Sequence, residues 1–297
     1  MHTALDCIPC FARQALEAAR FVTDDPAVHE RILRDVLRST AERDLAQCPP
    51  AVAQQIHRQL RTMTGVNDPY RAAKERFNTM ALDMLPELYL KVRESADPLA
   101  MALRLAIAGN VIDLGANSDI TEEEVRQGVH NVMNEPFDGD VNAFRQAVNE
   151  AQSILYLADN AGEIVFDRLL IEQLPMERVT VAVRGGPILN DATMADAEVA
   201  GLCDLVEVMD NGSDAPGTIL DDCSERFRRR FAEADLIIAK GQGNFETLSE
   251  EAADIYFLFK VKCPVIADHV GLPLGIQVAA RRKAMSPVLG GERHART

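Results

Sequence analysis

Three polar clusters stand where apolar runs stop: Asp159-Asn160-Ala161-Gly162-Glu163, Asn190-Asp191-Ala192-Thr193 and Lys240-Gly241-Gln242-Gly243-Asn244. Two carboxylates and the carboxamides beside them offer hard oxygen ligands, which suit a divalent cation that keeps some of its water. A lysine next to glycines suits a phosphate, because a residue without a side chain lets backbone N–H groups approach an anion. Asn244 is placed to cap a following helix and aim its positive end at the same group. Glu163 is either positioned to orient or deprotonate an attacking water, or is an ordinary glutamate in a first helical turn. Asn110 and Asp113 interrupt an apolar helical stretch three residues apart, hence on one face. They either reach the same crevice or tie two parts of the chain together.

These clusters need elements that bring them to one place. Each follows a β-branched apolar run (Ile154–Ala158, Val179–Val183, Leu236–Ala239) and leads into a helical stretch. Further strands are expected at Leu205–Met209 and Ile255–Val261, with another at Val265–Ala267. Strands alternating with helices such as Glu163–Gln173 and Thr218–Ala232 imply a Rossmann-like, mostly parallel sheet with helices on both faces. In such sheets the strand-to-helix loops gather at the carboxyl edge, where ligands bind. Before residue 150 apolar residues recur at helical spacing, over Ala12–Phe21, Ala27–Arg43, Ala51–Met63, Arg71–Ser95, Pro98–Leu114, Glu122–Val132 and Val141–Gln152. The expected organisation is a helical amino-terminal portion over residues 1–150, an α/β portion over 151–280 and a fraying basic tail over 281–297.

A net charge of −15, from 46 acidic against 31 basic residues, argues against nucleic acid as a partner, since phosphate backbones need a basic surface. It also leaves an anionic substrate to be held by local cations. No apolar run of about 18 residues exists to span a bilayer. The opening Met1-His2-Thr3-Ala4-Leu5-Asp6-Cys7 lacks the basic and then apolar regions of a secretory signal, so cytoplasm is the expected compartment. Cys48, Cys203, Cys223 and Cys263 are isolated and expected to be buried small hydrophobes. Cys7-Ile8-Pro9-Cys10 has the spacing at which two thiols can meet each other or one metal, and its role stays open among structural, metal and redox readings. No dinucleotide fingerprint, P-loop, His-Glu-x-x-His or Gly-x-Ser-x-Gly is present, so acid–base work falls to carboxylates or metal-bound water.

Taken in order, Ala158-Asp159-Asn160-Ala161-Gly162-Glu163, Arg184-Gly185-Gly186-Pro187-Ile188-Leu189-Asn190-Asp191-Ala192-Thr193 and Lys240-Gly241-Gln242-Gly243-Asn244-Phe245-Glu246 resemble the metal-dependent damage-control phosphatases, formerly a domain of unknown function. Asp68-Pro69-Tyr70 with Lys74 and Asn78, and Gly109-Asn110-Val111-Ile112-Asp113, look like further elements of that family. The amino-terminal Cys7-x-x-Cys10 is similar to the mark of its stand-alone prokaryotic branch. The resemblance implies a helical portion packed on a Rossmann-like domain. It implies that Asp159, Asn160 and Asp191 hold a divalent metal, whether Mn, Co, Ni or Mg. It further implies hydrolysis of small phosphorylated metabolites, such as phosphosugars or damaged phosphometabolites. Asp159, Glu163 and Lys240 are the expected catalytic residues. Asn110, Asp113, Lys240, Gly241, Gly243 and Asn244 are the expected substrate contacts. The alternative is a non-catalytic regulatory protein that binds a metal and a phosphometabolite in the same pocket.

Overall fold

The structure, a computed structural model, describes residues 1–109, 122–131 and 134–281. Five helices come first: α1 (Cys7–Val22), α2 (Pro26–Ala41), α3 (Pro49–Thr64), α4 (Arg71–Glu94) and α5 (Pro98–Ala108). Three of them carry proline in the first turn, where its missing N–H would have had no helical partner. After α6 (Glu122–Asn131) the order is β1 (Phe137–Gly139), α7 (Val141–Glu150), β2 (Ile154–Leu157), α8 (Glu163–Ile171), β3 (Val179–Val183) and α9 (Met194–Val199). The chain continues through β4 (Glu207–Asp210), α10 (Glu225–Glu233), β5 (Leu236–Lys240), α11 (Gly241–Leu248), β6 (Ile255–Lys260), α12 (Pro264–Val270) and β7 (Gln277–Arg281).

The strands form one sheet in the order β1-β7-β6-β5-β2-β3-β4. Every pair is parallel except β6 with β7. The direction of winding reverses between β2 and β5, which are neighbours, and such a reversal opens a crevice at the carboxyl edge. Strand alternation divides the core in two. Ile154, Tyr156, Val181 and Ile238 face a cluster that also contains Phe77 of α4, Leu105 of α5 and Phe166 of α8. Leu155, Leu157, Ile237 and Phe257 face the opposite cluster, with Phe227 of α10 and Phe245 of α11. Successive side chains on a strand point to opposite faces, so runs buried on both sides read as continuously apolar. The amino-terminal helices share the first cluster with the sheet, so the two portions are packed through a common core.

Two expectations are corrected. Val265–Ala267 belongs to α12, because Pro264 occupies a first-turn position that starts a helix. The stretch before residue 150 is not wholly helical, since Phe137–Gly139 form an edge strand paired with β7, itself unpredicted. Both are short, and β1 carries only one apolar residue, so neither shows a period. Asn110 and Asp113 lie outside the described residues, as do the end of the predicted helix at Leu114 and the tail after Arg281. Among the described residues no helix is long and apolar enough to cross a membrane.

Candidate active site

The loops after β2 and β3 are joined backbone to backbone. The Ala192 N–H donates to the Asp159 carbonyl at 2.7 Å and the Ala161 N–H to the Asn190 carbonyl at 2.8 Å. This short bridge sets Asn160 opposite Asp191. Leu189, at φ 45°, is the one described residue other than glycine with positive φ, so the turn into Asn190 and Asp191 holds local strain. Asp159, Asn160 and Asp191 are thereby brought together, with Asn190, on the wall of a cavity of about 290 Å³. The Asn160 amide nitrogen donates to Asp159 Oδ2 at 2.8 Å and to Glu163 Oε2 at 3.0 Å, which leaves its carbonyl oxygen as the atom to offer a cation. Burial raises the Asp159 pKa well above the carboxylate range, and the nearby Glu163 and Asp191 raise it further; Arg184 and Lys262 pull it back.

Gly241 explains how β5 can end so close. A Cβ at this position would lie 1.9 Å from Asp159 Oδ2, and its φ of 77° belongs to the left-handed region. Gly243 lines the cavity, while a Cβ there would meet the Pro216 carbonyl at 2.2 Å. Both glycines lie in the first turn of α11, whose backbone N–H groups have no intrahelical acceptor.

Lys240, Glu163 and Asn244 are fully buried and do not line this cavity. Lys240 is fully buried; its ammonium donates to Glu163 Oε1 at 2.6 Å, to the Ala106 carbonyl at 2.9 Å and, most closely, to Asp167. Glu163 and Asp167 are one turn apart on the buried face of α8, so a lysine at the end of β5 is drawn inward to neutralise them. Burial alone would lower the Lys240 pKa, but Asp167 and Glu163 reverse this and raise it. Burial pushes Asp167 up to about 6, with Lys240 opposing the shift. Asn244 is buried too, donating to the Lys240 carbonyl at 2.7 Å and accepting from Thr218 at 2.8 Å.

Two cations that sequence reasoning passed over are central. Arg184, 2 % exposed, donates from Nε to Asp191 Oδ2 at 2.7 Å and lies 3.7 Å from Asp159. Its Nη2 is buried with no hydrogen-bond acceptor. Lys262 lines the cavity itself, close enough to Asp159 to depress its pKa. Both follow the carboxyl end of a strand, β3 and β6, so the rule that singled out Lys240 would have found them.

The opposite wall comes from the helical portion and contains Cys7, Cys10 and Phe11 of α1 and Pro50 of α3, together with Cys263. Burial pushes the Cys7 thiol up to about 11, so it is neutral at ordinary pH. Half-buried Glu246, also on the wall, is pushed up to about 7 by burial, with its bond from Gln242 opposing. Among the described residues no group of three or more His, Cys, Asp or Glu is arranged to hold a metal ion. Of the four isolated cysteines only Cys223 is fully buried, and Cys203 is exposed. A larger groove of about 520 Å³ lies at the amino ends of β2, β3 and β4 but holds none of the predicted site residues.

Comparison with known proteins points the same way. The model of the damage-control phosphatase ARMT1-like domain matches residues 3–278. A protein of Methanocaldococcus jannaschii is 36% identical, with 93% of this chain and 94% of that protein covered. A damage-control phosphatase of Archaeoglobus fulgidus is 35% identical, with 92% and 96% covered. The crystal structure of a DUF89 family protein from Pyrococcus horikoshii superposes with a TM-score of 0.86 at 33% identity, over 95% of this chain and 99% of that one.

Proposed function

Because this chain belongs to the ARMT1-like damage-control phosphatase family, we propose that the crevice beside Asp159 and Asp191 hydrolyses small phosphorylated metabolites, phosphosugars or damaged phosphometabolites, with the help of a divalent cation. The observation that carries the reading is the meeting of Asp159, Asn160 and Asp191 on one cavity wall that Lys262 also lines. The residues fit such an ion. Gly241 leaves room for the Asp159 carboxylate where a Cβ would collide with it, and the crowding of Asp159 by Asp191 and Glu163 is what a cation would relieve. Two aspartates and one carboxamide make an oxygen set that water and a phosphate oxygen would complete. When bound, such an ion polarises a phosphoryl oxygen and lowers the pKa of coordinated water.

The chain's own residues divide the remaining work. Arg184 orients the Asp191 carboxylate through its Nε–H, so that one Asp191 oxygen is committed and the other is held in direction. Lys262, not Lys240, is the cation placed to meet the phosphoryl group from the cavity side, together with the first-turn N–H groups of α11. Lys240 donates to Glu163 Oε1 and holds that side chain in place, and Glu163 accepts from the Asn160 amide and so fixes which Asn160 atom faces outward. The wall of α1 and α3 meets the rest of the substrate and excludes water.

The test is a screen of phosphorylated metabolites against the purified protein with Mg, Mn, Co or Ni. Phosphate release that a chelator abolishes, and that Asp159→Ala and Asp191→Ala both lose with the fold intact, supports the reading. Equal turnover in the two variants, or full turnover under chelator, refutes it.

A further inference from the structure

Asn78 lies on α4, outside the cavity, and is 2 % exposed. Its side chain touches both the turn after Asp159–Asn160 and helix α9, which follows the Asp191 loop. Its Oδ1 accepts from the Gly162 N–H at 2.7 Å, and its Nδ2 donates to Asp196 Oδ1 at 2.8 Å. Gly162 follows Asn160 by two residues. Asp196 caps the helix that begins just after Asp191, its Oδ2 accepting from both the Thr193 N–H and the Thr193 hydroxyl at 2.8 Å. A primary carboxamide suits this position because it carries a donor and an acceptor on one planar group. Lys74, one turn earlier on α4, is paired with Asp68 at 3.1 Å and lies 3.6 Å from Asp196, a second contact between α4 and that carboxylate.

The two backbone bonds between Asp159–Ala161 and Asn190–Ala192 join the loops along a single short line. The strands that carry the loops are also paired, and Arg184 bonds Asp191 and lies 3.7 Å from Asp159. Asn78 adds an attachment from α4, outside the sheet. We propose that Asn78 is a positioning residue for the divalent-ion site: by bridging Gly162 and Asp196 it sets the angle between the Asp159–Asn160 and Asp191 loops, and through it the affinity for the ion. The inference rests on the proposal that these three residues hold the ion. Its consequence is that α4, in the helical portion, is part of the metal site without touching it.

The experiment is calorimetric titration of the full chain with Mn²⁺, comparing the parent with Asn78→Leu, Asn78→Asp and Tyr89→Phe. Leucine shares the branching of asparagine at Cγ, is the larger side chain, and removes both bonds. Aspartate keeps the acceptor for Gly162 and sets a carboxylate against Asp196. Tyr89→Phe removes the 2.6 Å bond from Tyr89 to Glu172, which ties the same helix to α8 away from the loops. Outer-shell partners of metal ligands typically contribute about 10- to 100-fold in metal affinity. That loss is expected in both Asn78 variants, with Tyr89→Phe close to the parent. If Asn78→Leu does not unfold cooperatively, Asn78→Asp decides alone. Folded Asn78 variants that bind Mn²⁺ within about threefold of the parent overturn the inference, as does an equal loss in Tyr89→Phe. A parent that binds no Mn²⁺ sinks the functional proposal and this one with it; a parent that binds, beside variants that bind equally, sinks this one only.

Discussion

Replacing Gly241 by alanine tests the site geometry with a single methyl group. Two costs follow from the structure. The φ of 77° is left-handed, and holding an L-residue there costs about 1–2 kcal/mol. The new Cβ would stand 1.9 Å from Asp159 Oδ2 and 2.1 Å from its Cγ, so the carboxylate must withdraw by roughly 1 Å or more, well past ordinary contact distance. Asp159 cannot slide freely, because its carbonyl is tied to the Ala192 N–H and its Oδ2 accepts from Asn160. A displacement of about 1 Å in a catalytic constellation costs on the order of 100-fold in rate. Gly65→Ala is the matched control: its φ is 73°, yet nothing lies within 4 Å of the added Cβ. Urea denaturation should show a loss of about 1–2 kcal/mol for Gly65→Ala from the backbone term, and at least that for Gly241→Ala, which carries the clash as well. Hydrolysis of p-nitrophenyl phosphate with Mn²⁺ should fall about 100-fold in Gly241→Ala alone. Should Gly241→Ala turn over and bind Mn²⁺ like Gly65→Ala, the Asp159 carboxylate does not occupy the place argued for it.

Lys240→Met and Lys262→Ala should separate the two lysines. The first leaves Glu163 and Asp167 buried without their cation and should cost about 3–5 kcal/mol in urea denaturation. The second should keep stability but lose about 10- to 150-fold in kcat/KM, with weaker inhibition by inorganic phosphate, since a charged hydrogen bond contributes roughly 1.5–3 kcal/mol. A stable Lys240→Met that loses only turnover would restore that lysine to the substrate. His57, 3 % exposed, has its pKa lowered from 6.5 to about 4, first by burial and then by Arg61. Between these two values the unfolded chain takes up a proton that the folded chain refuses, so stability should fall with pH, by about 3 kcal/mol in all. His57→Leu should flatten that slope in urea titrations run from pH 7 to pH 4; an unchanged slope would refute the assignment.

The α/β half of the fold was legible because its strands are buried on both faces. Ile154–Leu157 and Leu236–Ala239 read as unbroken apolar runs for that reason, and Val179–Val183 as one interrupted only by Thr180; burial on both faces is itself the mark of a parallel sheet. The carboxyl-edge rule then pointed to Asp159, Asn160 and Asp191, and these three do meet on one wall. Edge strand β1, with one apolar residue in three, carried no such mark, and its partner β7 lies on the far side of α12.

Local sequence therefore determined which polar loops gather at the carboxyl edge, because strand burial and loop polarity are properties of neighbouring residues. Which way each long side chain turns was decided only by tertiary packing. Lys240 stands at the same edge as Lys262, yet two buried carboxylates on α8 draw its ammonium inward, while Lys262 remains on the cavity wall. The same holds for Asn78, 84 residues from Gly162 and 118 from Asp196 along the chain, whose two bonds exist only because α4 packs against the loops. An ion pair or hydrogen bond between distant segments depends on separations of a few ångströms, and no local pattern encodes those.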